Sequence, residues 1–525
     1  VFEHQLTSLL SRDADPVAAG WQLRELADAS IEKAPLLLEQ LAQLSSQAPT
    51  ADPAILGGLI RVLHTTTLQP GGDVAEVLDF DQLRELTSKV PESTPNRHLL
   101  LQLAASIRTQ ESLNWLVDCL IESPPTDWIN AAQSLSPLMK YNDWPIAAVF
   151  PRVFGALQHP SLASTLLDLA NYLYRSGRID QHPASGRETM LNALLGEVTG
   201  RLAQFEENPR VFGDDVNTVQ TRLGEAVALA VSLCDSVGLL GDESAISKLN
   251  QTIELKHRRV QCEAAGALAR LGDDLGKKRL IELAAEPSAR LRAIHYADEL
   301  HFGELIDEKY RSDEATAEAE MTLWLSQPAQ MGVPPTSVEV VHRKRMLWPS
   351  FNDPVDILLV RFEYNFGERI YSNVGVTGPV TFALGADVAD LPMNDIYAIY
   401  AGWHADHPEI FVVPSEQLNE AQVRVMRSLS EHLERSEFES LKPALLGIFL
   451  DEKAGVFEAT RDGKPCLVVS DGLETIEQPT SGRLRPLSAI DLFNLYKGRK
   501  MLRTFNNEID SDSESDETNE LDSPS

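Results

Sequence analysis

Cations are scarce in this chain. Its 525 residues carry 46 Lys and Arg against 78 Asp and Glu, a formal charge of −32. Phosphate backbones are held by clustered cations, so general binding to DNA or RNA is not expected. The same deficit works against docking on an anionic membrane surface. Cysteine is rarer still. Cys119, Cys234, Cys262 and Cys466 are the whole set, and no two are spaced as a C-x-x-C pair. Four scattered thiols in so long a chain do not make a disulfide scaffold; reduced thiols, mostly in the core, are expected in a reducing compartment. Long apolar runs are missing as well: segments such as 226–233 are short and bounded by charge, so no membrane span is expected. The opening Val-Phe-Glu-His-Gln has no basic stretch leading into an apolar run, so no signal peptide is read and the cytoplasm is the expected location.

Catalytic signatures are the last absence. No G-x-S-x-G elbow, no G-x-x-x-x-G-K-[ST] loop, no G-x-G-x-x-G between a strand and a helix and no H-E-x-x-H occurs. Neither a catalytic residue nor a cofactor or metal site is assigned from the sequence.

What is present is apolar periodicity. Hydrophobic residues make up 43 % of the chain, too many for wholesale disorder. Over residues 1–330 they recur at intervals of three and four, as in Trp21, Leu23, Leu26 and then Leu36, Leu37, Leu38, Leu41, Leu44. Gln69-Pro70-Gly71-Gly72, Ser123-Pro124-Pro125, His159-Pro160 and Asn208-Pro209 punctuate these runs as helix breakers do.

Three segments near the end of this region are related. Leu229 to Asp242, Val260 to Asp273 and Leu291 to Glu304 each end in Gly followed by an acid, at Gly241, Gly272 and Gly303, 31 residues apart each time. Small residues inside each segment suit close helix contacts, the Gly suits a left-handed helix end, and the acid suits the start of the next helix. Arg290-Leu291 repeats the Arg259-Val260 start. The stretch Arg259 to Asp273 resembles the short HEAT repeats of many bacterial proteins, about 30 residues each. The resemblance implies an N-terminal α-solenoid and a protein-interaction role. Short HEAT repeats also occur in bilin lyases of the phycobilisome, so an enzyme of that kind is an alternative that the resemblance carries with it.

Beyond Gly332-Val333-Pro334-Pro335 the texture changes. Strands are predicted over 337–341, 355–364 and 369–376, and a hairpin over 456–470 turning at Asp462-Gly463. Helices are predicted over 395–403, 416–435 and 489–505. The mixture predicts a smaller α+β domain over 331–506. Strings such as Tyr371 to Val380, Ala401 to His404 and Tyr496 to Lys500 loosely resemble the extra C-terminal region of uncharacterised bacterial HEAT-repeat proteins. Residues 507–525 hold eight acids and no Lys or Arg, which predicts a disordered acidic tail, with Ser511, Ser513 and Ser515 as possible phosphorylation sites. Removing those eight charges from −32 leaves −24.

Three places invite a chemical reading. In Trp403-His404-Ala405-Asp406-His407-Pro408-Glu409 two imidazoles three apart would share a helix face, the spacing of a metal pair. Solvated residues at a helix end are the plainer reading. Asn373 to Pro379 reads as a plain turn after a strand. Residues 251–300 hold nine cations, Lys256, Arg258, Arg259, Arg270, Lys277, Lys278, Arg279, Arg290 and Arg292, against eight acids. At equivalent places in successive repeats they would line one ridge for an acidic partner, or pair with acids of neighbouring repeats as a structural ladder. A second basic spot, Tyr496-Lys497-Gly498-Arg499-Lys500 with Arg503, reads as the cationic end of the last helix. The expected whole is a mainly α, non-catalytic scaffold for an unidentified protein partner; the alternative is an enzyme or ligand-binding protein with its site in the α+β domain.

Overall fold

The computed structural model describes residues 33–44, 52–68 and 74–516, apart from 328, 368, 406 and 483–484, together with 9, 19, 20, 22 and 23; for 507–516 this covers the backbone alone. Trp21, Leu26, the breaker at 69–72 and the tail from 517 lie outside the described residues. The chain is mainly helical with a smaller C-terminal region of sheet, and it divides into two compact units. One comprises 1–283 and 295–303, the other 284–294 and 304–525.

Helices longer than one turn in and around the first unit are α1 (Ala34–Leu44), α2 (Pro53–Thr67), α3 (Phe80–Lys89), α4 (His98–Ile107), α5 (Gln110–Glu122), α6 (Trp128–Lys140), α7 (Pro160–Arg175), α8 (Glu188–Glu207), α9 (Val216–Leu240), α10 (Ile246–Thr252), α11 (Arg258–Arg270), α12 (Asp274–Leu283) and α13 (Pro287–Glu299). Their starts follow capping chemistry. Asp52 accepts from the Ala54 and Ile55 amides at 2.8 and 3.3 Å, with Pro53 at the first helical position. Thr109, Asp127 and Asp215 cap α5, α6 and α9 in the same way.

Two layers result. In one, α2, α4, α6, α7, α9 and α11 stack in series, each against the next. In the other, α5 flanks α4, the 3-10 turn Arg152–Ala156 packs on α5, α8 flanks α9, and α10 and α12 flank α11. The helix α9 is long and apolar enough to cross a membrane by length and composition, a test that the buried core helix of a folded unit also passes. Here its buried residues, Ala226, Val227, Ala230, Leu233, Cys234 and Val237, lie on the side that meets neighbouring helices.

The three repeat ends are closed alike. Asp242 N donates to Val237 O at 3.3 Å, Asp273 N to Leu268 O at 2.9 Å and Phe302 N to Ala297 O at 2.8 Å, the six-to-one bond of a Schellman motif. The left-handed residue is Gly241 (φ 69°) and Gly272 (φ 83°) in the first two. In the third it is His301 (φ 61°), not Gly303, which opens a short 3-10 turn instead.

The second unit holds α14 (Asp313–Leu325), β1 (Ser337–Met346), β2 (Val355–Phe366), β3 (Arg369–Thr377), α15 (Met393–His404), β4 (Ile410–Pro414), α16 (Glu420–Arg435), β5 (Glu439–Phe449), β6 (Glu452–Arg461), β7 (Lys464–Ser470), β8 (Thr475–Pro479) and α17 (Ala489–Asp516). Both sheets are antiparallel, in the orders β1-β2-β3 and β4-β5-β6-β7-β8. Strand alternation serves two cores at once. Leu358, Val360 and Phe362 pack with Ala317, Met321 and Leu325 of α14. Their neighbours Ile357 and Leu359 join Ile396 and Tyr400 of α15. Because α14 covers the sheet, the second unit takes in residues well before the change of texture near Val333.

In the larger sheet Leu446, Phe457 and Val468 face Met426, Leu429 and Leu433 of α16, whereas Val456 and Val469 face Phe493 and Tyr496 of α17. The helices α15 and α17 touch at glycine: a Cβ on Gly498 would collide with Ala398 O, and one on Gly402 with Asn494 O.

The hairpin turns where the sequence predicts. Arg461 pairs with Lys464 across Asp462 (φ 51°) and Gly463 (φ 73°), a two-residue turn with both central residues left-handed. Residues 371–377 are strand rather than loop, so the turn read at 373–379 is confined to its end, with Gly378 at φ 121°. The acidic stretch from 507 begins inside α17, which runs to Asp516.

Candidate interaction surface

The stacked layer of the first unit carries a ladder of polar side chains from helix to helix. His64 on α2 donates from Nε2 to Gln102 Oε1 on α4 at 2.8 Å, and Gln102 Nε2 donates to Ser136 Oγ on α6 at 3.1 Å. Beside it His98 Nε2 donates to Gln133 Oε1 at 3.0 Å. Burial holds both imidazoles below the ordinary histidine range, so they are neutral donors at neutral pH. Gln133 and Ser136 are exposed, so the ladder reaches solvent.

Along the same layer, α7 and α9 share a buried network. His182 Nε2 donates to Asn171 Oδ1 at 2.9 Å and its Nδ1 accepts from the Ala184 amide at 3.2 Å. Ser236 Oγ also donates to Asn171 Oδ1, at 2.9 Å, and Asn171 Nδ2 to Ser232 O at 3.2 Å. Every polar atom of that asparagine is used, and burial lowers the His182 pKa to about 4. Ser232 Oγ donates to Asp168 Oδ1 at 2.6 Å. Asp168 keeps an exposed face, but the packing around its carboxylate withdraws it from water and raises its pKa to about 6, the Ser232 bond opposing and the Asp235 charge adding to the rise.

The helix ends are joined by charge. Arg175, the last residue of α7, pairs with Asp235 of α9 and with Glu299 at 2.8 Å. Arg270, the last residue of α11, reaches the same Glu299 oxygen at 2.6 Å. Burial works against the Glu299 charge, but the two guanidiniums hold its pKa below the usual carboxylate range. Deeper down, Tyr296 donates to buried Glu263 of α11 at 2.5 Å.

These contacts decide where the nine cations go. Arg270 is spent on Glu299, and Arg279 pairs with Glu282 one turn along its own helix at 2.9 Å. Arg258 donates to Gln261 at 2.9 Å. Lys277 sits 5.5 Å from the centre of the Phe302 ring. Arg290 is buried and belongs to the second unit, where it donates to the carbonyls of Ala284, Ala285 and Ala315 and pairs with Glu318 at 3.0 Å. It therefore takes no part in an exposed ridge. Arg292, also of the second unit, is half-buried. Lys256, Arg259, Lys277 and Lys278 are exposed. Arg270 and Arg290 thus each pair with an acid, Glu299 and Glu318, and the burial of Arg290 is what the sequence leaves unread.

The second basic spot is equally occupied. Arg499 grips Asp395 with two bonds of 2.7 and 2.6 Å. Lys500 reaches Asp471 at 2.7 Å and Glu452 at 2.9 Å, Tyr496 OH lies 2.8 Å from the same Asp471 oxygen, and Arg503 pairs with Glu474 at 2.6 Å. Burial opposes the Asp471 charge, yet Lys500 and two turn amides hold its pKa far down. These cations lie within α17, not at its end; Arg499 ties it to α15, and Lys500 and Arg503 tie it to the strand ends and the β7–β8 turn of the larger sheet.

The imidazole pair does not form a metal face. The helix α15 stops at His404, so His407 stands beyond it. His404 Nδ1 accepts from the buried Trp348 Nε1 at 3.0 Å, which places the imidazole proton on Nε2 and leaves no lone pair for a cation. His407 Nδ1 accepts from the Glu409 amide at 3.3 Å, and Asp406 lies outside the described residues. Among the described residues no group of three His, Cys, Asp or Glu is placed to hold a metal. Cys234, Cys262 and Cys466 are buried, as core thiols are, and Cys119 is half-buried, its pKa raised to about 11 by burial.

No protein-family model, no curated protein and no solved structure matches the chain.

Proposed function

We propose that this chain is a non-catalytic protein-interaction scaffold, and that its first unit is a HEAT-like solenoid presenting the polar side of its stacked helices to a protein partner. The observation that carries the reading is the serial stack itself: five helices from α4 to α11, of which α4, α7, α9 and α11 each have a flanking element in the second layer, with side-chain rungs joining α4 to α6 at Gln102–Ser136 and α7 to α9 at Asp168–Ser232. A repetitive stack extends a surface in one direction, which suits an elongated protein segment better than a small molecule. The recurrent Schellman ends at 241 and 272, each followed by a capping aspartate, support the repeat reading. Exposed Gln133, Ser136, Asp168 and Arg259 are the side chains such a partner would meet.

The test is site-specific photocrosslinking in the full chain. Crosslinkers at Gln133, Asp168 and Arg259 should capture one and the same protein from an extract of the source cells, and a crosslinker at Lys278 on the flanking helix α12 should not. Capture of different proteins at each position, or equal capture at Lys278, would contradict the proposal.

A further inference from the structure

We draw no further inference here: the strongest candidate, the cleft of about 470 Å³ between the β1–β3 sheet and the start of α15, is floored by Leu359, Val374 and Ile396 and rimmed by the Arg361–Glu339 pair, and nothing in the structure shows what would fill it.

Discussion

Arg290 shows how much one side chain can hold. Its guanidinium satisfies three carbonyls and one carboxylate from a buried position. Arg290→Ala strands those acceptors, and the expected loss is about 3–5 kcal/mol; chemical denaturation of the full chain measures it, and a loss below about 1 kcal/mol would show the network to be dispensable. Two titrating groups give pH signatures of opposite sign. His182 has a folded pKa of about 4 against an ordinary 6.5, so the unfolded chain takes the proton more readily. Its contribution is fully present above 6.5 and is lost as the pH falls toward 4. Asp168 is the reverse: with a folded pKa of about 6 against 3.8, its contribution is present at low pH and lost as the pH rises through 6. Asp168→Asn should therefore melt above the wild type at pH 8 and level with it near pH 4. A difference that persists unchanged at both values would mean that the carboxylate charge is not the cause.

Elements are set by what the chain repeats and by where it omits a side chain. Gly498→Ala forces a Cβ into Ala398 O, and backbone on both sides leaves little room to yield. A loss of about 3 kcal/mol or more is expected in the transition of the second unit, from the parting of α15 and α17. Gly241→Ser or Gly463→Ser changes no close contact, since open space surrounds both, and the cost there is left-handed backbone alone. Asp273→Ala removes the acceptor of the Leu275 amide and should cost about 1 kcal/mol. A smaller loss for Gly498→Ala than for Asp273→Ala would overturn the close-contact account of α15 and α17.

Much at this scale is legible in sequence. The periodicity of three and four gives the helices, and Asp462-Gly463 gives the hairpin, because both signals are local. The helix predicted over 395–403 is α15 within two residues at each end. The edge strands β4 and β8, five residues each, are missed: Pro408 and Pro414 around the first read as breakers, and neither run is long enough to show alternation. Gly303 marks the third repeat end, but the left-handed residue is His301, since chain closure depends on the six-to-one bond and not on the glycine. The polar ladder is illegible for a different reason. Its partners lie 34 to 64 residues apart, as in Gln102–Ser136 and Asp168–Ser232, and nothing local distinguishes a serine that meets a neighbouring helix from one that meets water.

For the molecule as a whole, the scarcity of cations takes on a local meaning. The chain is short of Lys and Arg by 32, yet Arg175, Arg270, Arg290, Arg499, Lys500 and Arg503 are all drawn into pairs with acids within their units. Much of the positive charge is thus structural, and the exposed cations of 251–300 reduce to Lys256, Arg259, Lys277 and Lys278. We propose that a protein partner lies along the stacked helices. Affinity capture with the full chain tests it most directly, comparing the wild type with Gln133→Glu, Arg259→Glu and the flanking-layer control Lys278→Glu. One protein should be recovered with the wild type and the control and lost at least about tenfold, or about 1.4 kcal/mol, with Gln133→Glu and Arg259→Glu. Recovery of that protein at equal yield from all four chains would contradict it.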